Sequence, residues 1–357
     1  MSGLPELPLA GAALAGRNFL CGSPKPCPCI RFFEVIAMAG LWLASVMFLL
    51  GLVLTVKGGD LFVDAACWMA AASGMPQFLI GATVVSLATT LPELLVSTMA
   101  AAQGQSELAI GNAMGSVTAN TGLILALAMV FLPGRVRRRD CTAKALLLIT
   151  AILCLWLACR DGRLTGPGCL PLAALLALAV AESLHAGRTS RGAAAQTELP
   201  RPTRRDAAGH LFGFALGLAG ILAGARLLVN SARALARGLG LPESLIAVTI
   251  VAIGTSLPEL VTTLTAIFKR QSSLSAGNIL GANLIDIALI LPVCRLVNGG
   301  PLPMGAQTLT LDFPFCLGIN LLALLPMLFT GRFARWQGAA CLTAYAAYTL
   351  LLCRGAA

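Results

Sequence analysis

The stretch ATTLPELLVS, at Ala88–Ser97, sets a proline beside a glutamate inside a run of apolar residues. The chain repeats the arrangement in GTSLPELVTT, at Gly254–Thr263. Within a helix, proline donates no backbone hydrogen bond, and its ring crowds the carbonyl four residues earlier. The carbonyls of Ala88 and Gly254 therefore lose their helical partners, and each stretch predicts a broken helix that carries one carboxylate.

The composition around both stretches is that of a membrane protein. The chain has 357 residues, of which 57% are hydrophobic and only 11% are charged, whereas soluble domains carry about 25% charged residues. A net charge of +10 would suggest nucleic acid in a soluble protein. Here the arginines cluster in short loops, which is typical of the cytoplasmic side of membrane proteins. We therefore expect an all-α integral membrane protein in a lipid bilayer, with no nucleic-acid partner.

The cysteines and the N-terminal residues add little to this interpretation. Most of the 12 cysteines lie in apolar segments, where free cysteine packs as a small hydrophobic residue. Cys21, Cys27 and Cys29 could bind a metal, but no second pair of ligands accompanies them. Residues 1–31 lack the features of a signal peptide, and we treat them as an N-terminal extension.

The two halves of the chain are copies of one another. Glu93 and Glu259 are 166 residues apart, and the same offset holds without a gap over a long window. It places GNAMG, at Gly111–Gly115, on GNILG, at Gly277–Gly281, and Asn120 on Asp286. A duplicated unit of this size predicts a repeat architecture.

Ten apolar segments fall into two groups of five. The predicted spans are 34–56, 77–101, 107–132, 142–159 and 168–186, followed by 209–235, 243–267, 273–297, 309–330 and 336–353. The organisation is then an N-terminal extension (1–31), a first five-helix repeat (32–186), a basic cytoplasmic loop (187–208) and a second five-helix repeat (209–357).

An odd number of spans per repeat forces the two copies into opposite orientations. The loops 132–142 and 187–208 are rich in arginine, and placing both inside also puts Lys269 and the 332–335 turn inside. Arginines near 160–163 and 233–237 oppose this assignment but are fewer. We therefore expect two inverted-topology repeats with both termini outside, an arrangement that secondary transporters use for a site at the membrane midplane.

Oxygen-bearing side chains surround both Pro-Glu pairs. Thr89 and Thr90 lie on the helical face of Glu93, and Thr255 and Ser256 repeat this around Glu259. A carboxylate at mid-membrane costs roughly 2.5–3.5 kcal/mol on insertion scales, so a cation between the two glutamates is expected. An all-oxygen set suits hard cations such as calcium, whereas the lack of converging His and Cys residues disfavours zinc and copper.

The GTSLPE motif at Gly254–Glu259, with a G-N-x-x-G motif that begins 18 residues after each glutamate, resembles the signature of the calcium/cation antiporter superfamily. The likeness is to its sodium/calcium exchanger-like branch in compact prokaryotic form, and it covers most of residues 35–353. It implies ten helices in an inverted repeat, exchange of sodium for calcium at one central cluster, and helices one and six that slide across a fixed core.

The resemblance also implies roles for individual residues. Glu93 and Glu259 would be the paired calcium ligands, helped by Thr89 and Thr255. The implied sodium ligands are Thr90, Ser116 and the Ser86 carbonyl in the first repeat, and Ser256 and the Ala252 carbonyl in the second. Asn120 and Asp286 would complete a middle position.

The chain departs from the family pattern at three places. Gly-Thr-Ser becomes Ala88–Thr90, which keeps the hydroxyl, and Val117 replaces an expected asparagine. Ala282 stands where a serine hydroxyl is expected, while its repeat mate Ser116 retains one. One sodium position thus loses an oxygen, which leaves the sodium stoichiometry, and even the use of sodium, open.

These patterns predict a secondary active antiporter, not an enzyme, that exchanges calcium for sodium by alternating access. A calcium/proton exchanger and a potassium-dependent sodium/calcium exchanger are the nearest alternatives. A channel is a further alternative, and it would conduct ions without a counter-ion. A hydrolase is not indicated, because the sequence contains neither a Ser-His nor an HExxH pairing. We expect no cofactor beyond the transported calcium and sodium ions, no obligatory protein partner, and a location in the cytoplasmic membrane.

Overall fold

The structure, a computed structural model, describes residues 28–135, 138–194, 204–238 and 256–355 and is almost entirely helical. In chain order the helices are α1 Pro28–Ser73, α2 Gln77–Thr89, α3 Leu91–Ala102, α4 Ser106–Phe131, α5 Arg138–Ala158, α6 Gly166–Ala194, α7 Arg204–Gly238, α8 Leu257–Phe268, α9 Ser272–Val297, α10 Thr308–Thr330 and α11 Arg335–Gly355.

The helices make this a multi-pass membrane protein. In the part of the chain that the structure describes, seven helices are long and apolar enough to cross a membrane, and the bent pair α2 and α3 raises the number to eight. Two other predicted segments also contain helices. One ends with α8, a shorter apolar helix whose preceding residues lie outside the described part, and the other coincides with α11. The main core packs α4, α5 and α9 around buried aliphatic side chains such as Ile110, Leu148 and Ile279.

The first helix has the longer of the two lengths that the sequence allows, since the region Gly58–Gly74 can either follow the predicted span or extend it. The expected span ended at residue 56, but α1 continues to Ser73 through Gly58 and Gly59. The two glycines do not end the helix because both face neighbouring helices at close range. In the continuation, Asp60 and Asp64 form an ion pair each with Lys269, at Nζ–Oδ1 distances of 3.6 and 2.7 Å.

Two short ribbons tie together loops from the two halves. Strand β1 (Gly134–Arg135) pairs with β4 (Arg332–Phe333), and β2 (Arg163–Leu164) pairs with β3 (Leu302–Pro303), both antiparallel. The β1–β4 pairing joins the loops after α4 and α10, which the charge pattern assigns to one side. The β2–β3 pairing joins the loops after α5 and α9, which that pattern assigns to the other side.

Helices α1 and α7 cross at glycines that the 166-residue offset relates. A Cβ added to Gly58 would lie 2.8 Å from the Gly217 carbonyl oxygen, and one added to Gly51 would lie 3.0 Å from that of Gly224. Gly217 is the repeat mate of Gly51, and Gly224 is that of Gly58. Small residues let transmembrane backbones approach closely, so α1 and α7 touch backbone to backbone.

A second close crossing joins α2 of the first half to α9 of the second half. A Cβ at Gly281 would lie 2.6 Å from the Ala82 carbonyl oxygen, and one at Gly277 would collide with the Phe78 carbonyl. Gly277 and Gly281 are therefore packing residues, whereas no atom of the described residues lies within 4 Å of a Cβ added at their repeat mates Gly111 and Gly115. This crossing holds the first broken helix against the helix that carries Asp286.

We expect a leucine at Gly58 to destabilise the protein because its side chain would meet the backbone of α7. Overpacking of this kind costs typically 1–3 kcal/mol, so the apparent melting temperature in detergent should fall. The matched control is Gly213→Leu on α7, where no atom of the described residues lies within 4 Å of the added Cβ. Equal melting temperatures for the two variants would contradict the backbone contact.

Candidate cation site

A bent pair of helices presents Glu93, and the start of α8 presents Glu259. The bend between α2 and α3 is 45° and occurs at Thr90, whose φ and ψ are −83° and −1°. Ser256 precedes α8 with nearly the same conformation, φ −90° and ψ 11°. Glu93 and Glu259 are each the third residue of the helix that follows. A helix N-terminus favours negative charge, so the starts of α3 and α8 place both carboxylates in a favourable field. The break predicted from Pro92 is confirmed, whereas the residues before Ser256 lie outside the described part of the chain.

The two carboxyl groups face each other in the protein interior. Glu93 and Glu259 are each 1% exposed, and their carboxyl groups lie within hydrogen-bonding reach of one another. Ionised carboxylates only accept hydrogen bonds. Accordingly, both Glu93 oxygens and Glu259 Oε2 have no hydrogen-bond partner among the described residues. Such an arrangement of like charges is stable only with a cation or a proton between them.

Hydroxyl groups border this pair. Thr90 Oγ1 donates to Glu259 Oε1 over 3.3 Å, and the Thr89 hydroxyl also reaches the Glu259 carboxylate. Ser256 Oγ and Ser116 Oγ are 3.4 Å apart and join α4 to the start of α8. The cluster therefore combines carboxylate and hydroxyl oxygens from both halves of the chain.

Asn120 and Asp286 lie beside the pair, at matching positions in the two halves. Each begins a π-helical turn, in α4 and α9 respectively, and such turns are frequent at functional sites. Asn120 Oδ1 and both Asp286 oxygens have no hydrogen-bond partner within the described ranges. The Asp286 carboxylate is close enough to Glu259 for their negative charges to repel each other. No three His, Cys, Asp or Glu side chains in those ranges are close enough together to hold one metal ion by themselves.

The predicted site residues fall into two groups. Nine are described, and all nine are between 0 and 4% exposed: Ser86, Thr89, Thr90, Glu93, Ser116, Asn120, Ser256, Glu259 and Asp286. Thr255 and Ala252 lie outside the described residues, as do Cys21 and Cys27. The Ser86 carbonyl accepts the Thr90 N–H at 2.9 Å. Cation binding by any of these residues stays a prediction.

Two asparagines beside the site were not predicted from the sequence, the buried Asn278 and the half-buried Asn112. Asn278 donates from Nδ2 to Thr262 Oγ1 at 3.1 Å and accepts from Thr89 Oγ1 at 3.4 Å. Its repeat mate Asn112 donates to Ser97 Oγ at 2.9 Å. Both asparagines belong to the G-N-x-x-G motifs, so the motif itself was the signal that could have identified them.

Known proteins share this fold and these motifs. The sequence profile described as "Sodium/calcium exchanger protein" matches residues 43–184 and 209–354. The chain belongs to the sodium/calcium exchanger family. The two matched stretches flank the basic loop predicted at 187–208.

Two relatives match this chain over almost their whole length. It is 34% identical to the "Putative antiporter CaxA" of Alkalimonas amylolytica, over 87% of this chain and 98% of that protein. It is 30% identical to the "Sodium/calcium exchanger MaX1" of Methanosarcina acetivorans, over 85% of this chain and 97% of that protein. Both relatives are therefore similar to this chain over most of its length.

A solved structure has the same fold. The sodium-calcium exchanger NCX_Mj soaked with zero Na⁺ and Ca²⁺ superposes with a TM-score of 0.76 at 28% identity, and the match covers 87% of this chain and 99% of that one. Other crystals of NCX_Mj were soaked with Na⁺ and Sr²⁺ and match with similar scores, 0.74 in one case.

Because three of the four oxygens of the paired carboxylates lack donors among the described residues, we expect Ca²⁺ to stabilise the purified protein. A ligand that binds only the folded state adds about 2.7 kcal/mol at one hundred times its Kd, and the melting temperature in detergent should rise with Ca²⁺ concentration. The double variant Glu93→Gln/Glu259→Gln should lose this rise, because neutral amides provide no charge for the cation. A calcium-dependent rise that persists in the double variant would place the cation elsewhere.

Proposed function

We propose that the protein is a secondary antiporter that exchanges calcium for sodium across the membrane by alternating access. The carrying observation is the buried pair Glu93 and Glu259, whose carboxyl groups face each other with three oxygens that lack partners among the described residues. Two carboxylates supply two negative charges, which match one Ca²⁺. Ca²⁺ takes six to eight oxygens, and the neighbouring hydroxyl, amide and carbonyl oxygens can complete that number.

The same cluster can hold sodium when its oxygen ligands are shared among several ions. We assign the calcium position to Glu93 and Glu259 with Thr89 and Thr255. Hydroxyl groups and carbonyls on either side serve sodium: Thr90, Ser116, Ser86, Ser256 and Ala252. Asn120 and Asp286 occupy the middle position. Binding of either calcium or sodium offsets the carboxylate repulsion, and this competition for shared ligands couples the two fluxes.

Contacts between the halves support the inverted repeat of ten helices. The glycine crossing of α1 and α7 pairs Gly58 with Gly217 and Gly51 with Gly224, as a two-fold axis between repeats requires. The two ribbons pair each repeat's loops with those of the other. We therefore infer repeats at 32–186 and 209–357 with the loop 187–208 on the cytoplasmic side and both termini outside, in the cytoplasmic membrane.

Net charge movement follows from the ion count. If three Na⁺ exchange for one Ca²⁺, one positive charge crosses per cycle, and the membrane potential contributes about 2.3 kcal/mol per 100 mV. With Asp286, the cluster has three carboxyl groups, whereas one calcium ion carries only two positive charges. Because the two glutamates already balance the two charges of calcium, Asp286 takes a passive or protonated role during calcium transport. No catalytic step and no resident cofactor enter this scheme.

A calcium/proton exchanger is the second candidate, and Ala282 favours it. Ala282 is fully buried in α9, four residues before Asp286, and it offers no oxygen where its repeat mate Ser116 offers a hydroxyl. A weakened sodium position leaves protons on the glutamates as the alternative counter-ions. The name of the relative CaxA, a putative antiporter, fits either coupling.

We expect purified protein in vesicles to take up Ca²⁺ against an outward sodium gradient. Glu93→Gln and Glu259→Gln should each reduce uptake to the level of empty vesicles, because one carboxylate cannot balance a divalent cation. Glu107→Gln, which removes an exposed carboxylate at the start of α4, is the control and should transport normally. Separate sodium, potassium and pH gradients identify the coupling ion, and the absence of uptake with every gradient would refute calcium antiport.

We expect Ala282→Ser to strengthen sodium coupling because it supplies the missing hydroxyl. The sodium concentration for half-maximal calcium uptake should fall, while proton-driven uptake should not increase. Ala276→Ser, a buried position one turn and a half earlier on α9, controls for the added hydroxyl. An unchanged sodium dependence would show that residue 282 does not contribute to a sodium position.

A further inference from the structure

Asn278 lies where three helices of the cation cluster meet. Its side chain is 2% exposed; its amide nitrogen donates to Thr262 of α8 at 3.1 Å, and its carbonyl oxygen accepts from Thr89 of α2 at 3.4 Å. The helix crossing fixes the backbone here, since a Cβ at Gly81 would lie 2.9 Å from the Asn278 nitrogen. Asn278 therefore links α2 of the first half to α8 of the second half from a rigid position.

The orientation of this amide is determined by its partners. Thr262 Oγ1 donates its own proton to the backbone, to the Pro258 carbonyl at 2.9 Å or the Glu259 carbonyl at 3.0 Å. It can then only accept from Asn278, which requires the NH₂ group on that side. The Asn278 carbonyl oxygen must consequently point at Thr89.

The Thr89 hydroxyl has one proton and three acceptors within reach. They are the Ser86 carbonyl at 3.4 Å, Asn278 Oδ1 at 3.4 Å and the Glu259 carboxylate. A cation bound at Glu259 repels a hydroxyl proton aimed at the same place. The Ser86 carbonyl already accepts the Thr90 N–H at 2.9 Å and is itself assigned to a cation. Asn278 Oδ1 is the acceptor that remains.

We propose that Asn278 is a positioning residue that accepts the Thr89 hydroxyl proton, so that the lone pairs of Thr89 Oγ1 face a cation held by Glu259. The residue touches no cation itself and acts through Thr89. Without a cation, the same hydroxyl can turn back and donate to Glu259. The inference rests on the proposed function, and it makes the second half of the chain responsible for the orientation of a ligand in the first half.

The test compares calcium transport by Asn278→Leu, Thr89→Val and the double variant in vesicles. One lost hydrogen bond is worth about 1 kcal/mol, so Asn278→Leu should raise the half-saturating Ca²⁺ concentration about fivefold with little change in maximal rate. Because Asn278 acts through Thr89, the double variant should match Thr89→Val alone. Non-additivity of this kind is what contacting residues show.

Two further variants separate positioning from folding. Asn320→Leu removes another fully buried interhelical amide, bonded to Thr121, and should lower the melting temperature without changing the half-saturating concentration. Thr262→Val leaves Asn278 in place but removes the partner of its NH₂ group, so it should shift half-saturation in the same direction by a smaller factor. If Asn278→Leu does not fold, Thr262→Val alone and with Thr89→Val provides the same comparison.

Additive effects of the two sites, or an unchanged half-saturating concentration with a lower maximal rate, would overturn the positioning role. Wild-type transport would persist in that case, so the proposed function would be unaffected. Absence of calcium transport by the wild type would refute both. Calcium-dependent stabilisation in detergent gives a second readout that does not require transport, and Asn278→Leu should shift it by the same factor.

Discussion

Two carboxylates that face each other in a membrane interior are the constraint on which the rest of this structure depends. At an effective dielectric constant of 20, two unit charges 4 Å apart interact with about 4 kcal/mol, and here the interaction is repulsive. Nothing in the described residues donates to either carboxylate oxygen of Glu93 or to Glu259 Oε2. The fold must therefore hold the pair together while it leaves the compensation to a transported ion.

The helix breaks, hydroxyl groups and glycines each serve this constraint. The break at Thr90 and the start of α8 after Ser256 place a helix N-terminus beneath each glutamate. The threonine and serine side chains supply oxygens that an unbroken apolar helix would lack. Backbone contact between α2 and α9 at Gly277 and Gly281 keeps the first break close to Asp286. By contrast, the α1–α7 crossing joins the two halves backbone to backbone at glycines.

Much of the site could be predicted because its chemistry conflicts with its surroundings. Pro92 and Pro258 cannot continue a helix, and Glu93 and Glu259 cannot face lipid, so the breaks followed from single residues. The 166-residue offset then indicated that two such positions belong to one site. The length of α1 could not be predicted, because whether Gly58 and Gly59 end a helix depends on the helix they face. Asn278 was missed for a related reason: a buried asparagine has no intrinsic role until its neighbours are known. The roles given to Thr255 and Ala252 stay predictions.

The most direct test of the account is the position of a calcium ion in an experimental structure of the protein, located by anomalous scattering. The account predicts a single strong peak bonded to at least one carboxylate oxygen of Glu93 and one of Glu259, at roughly 2.3–2.6 Å, and loss of that peak in Glu93→Gln. A peak bound to only one of these glutamates, or centred away from both, would contradict it.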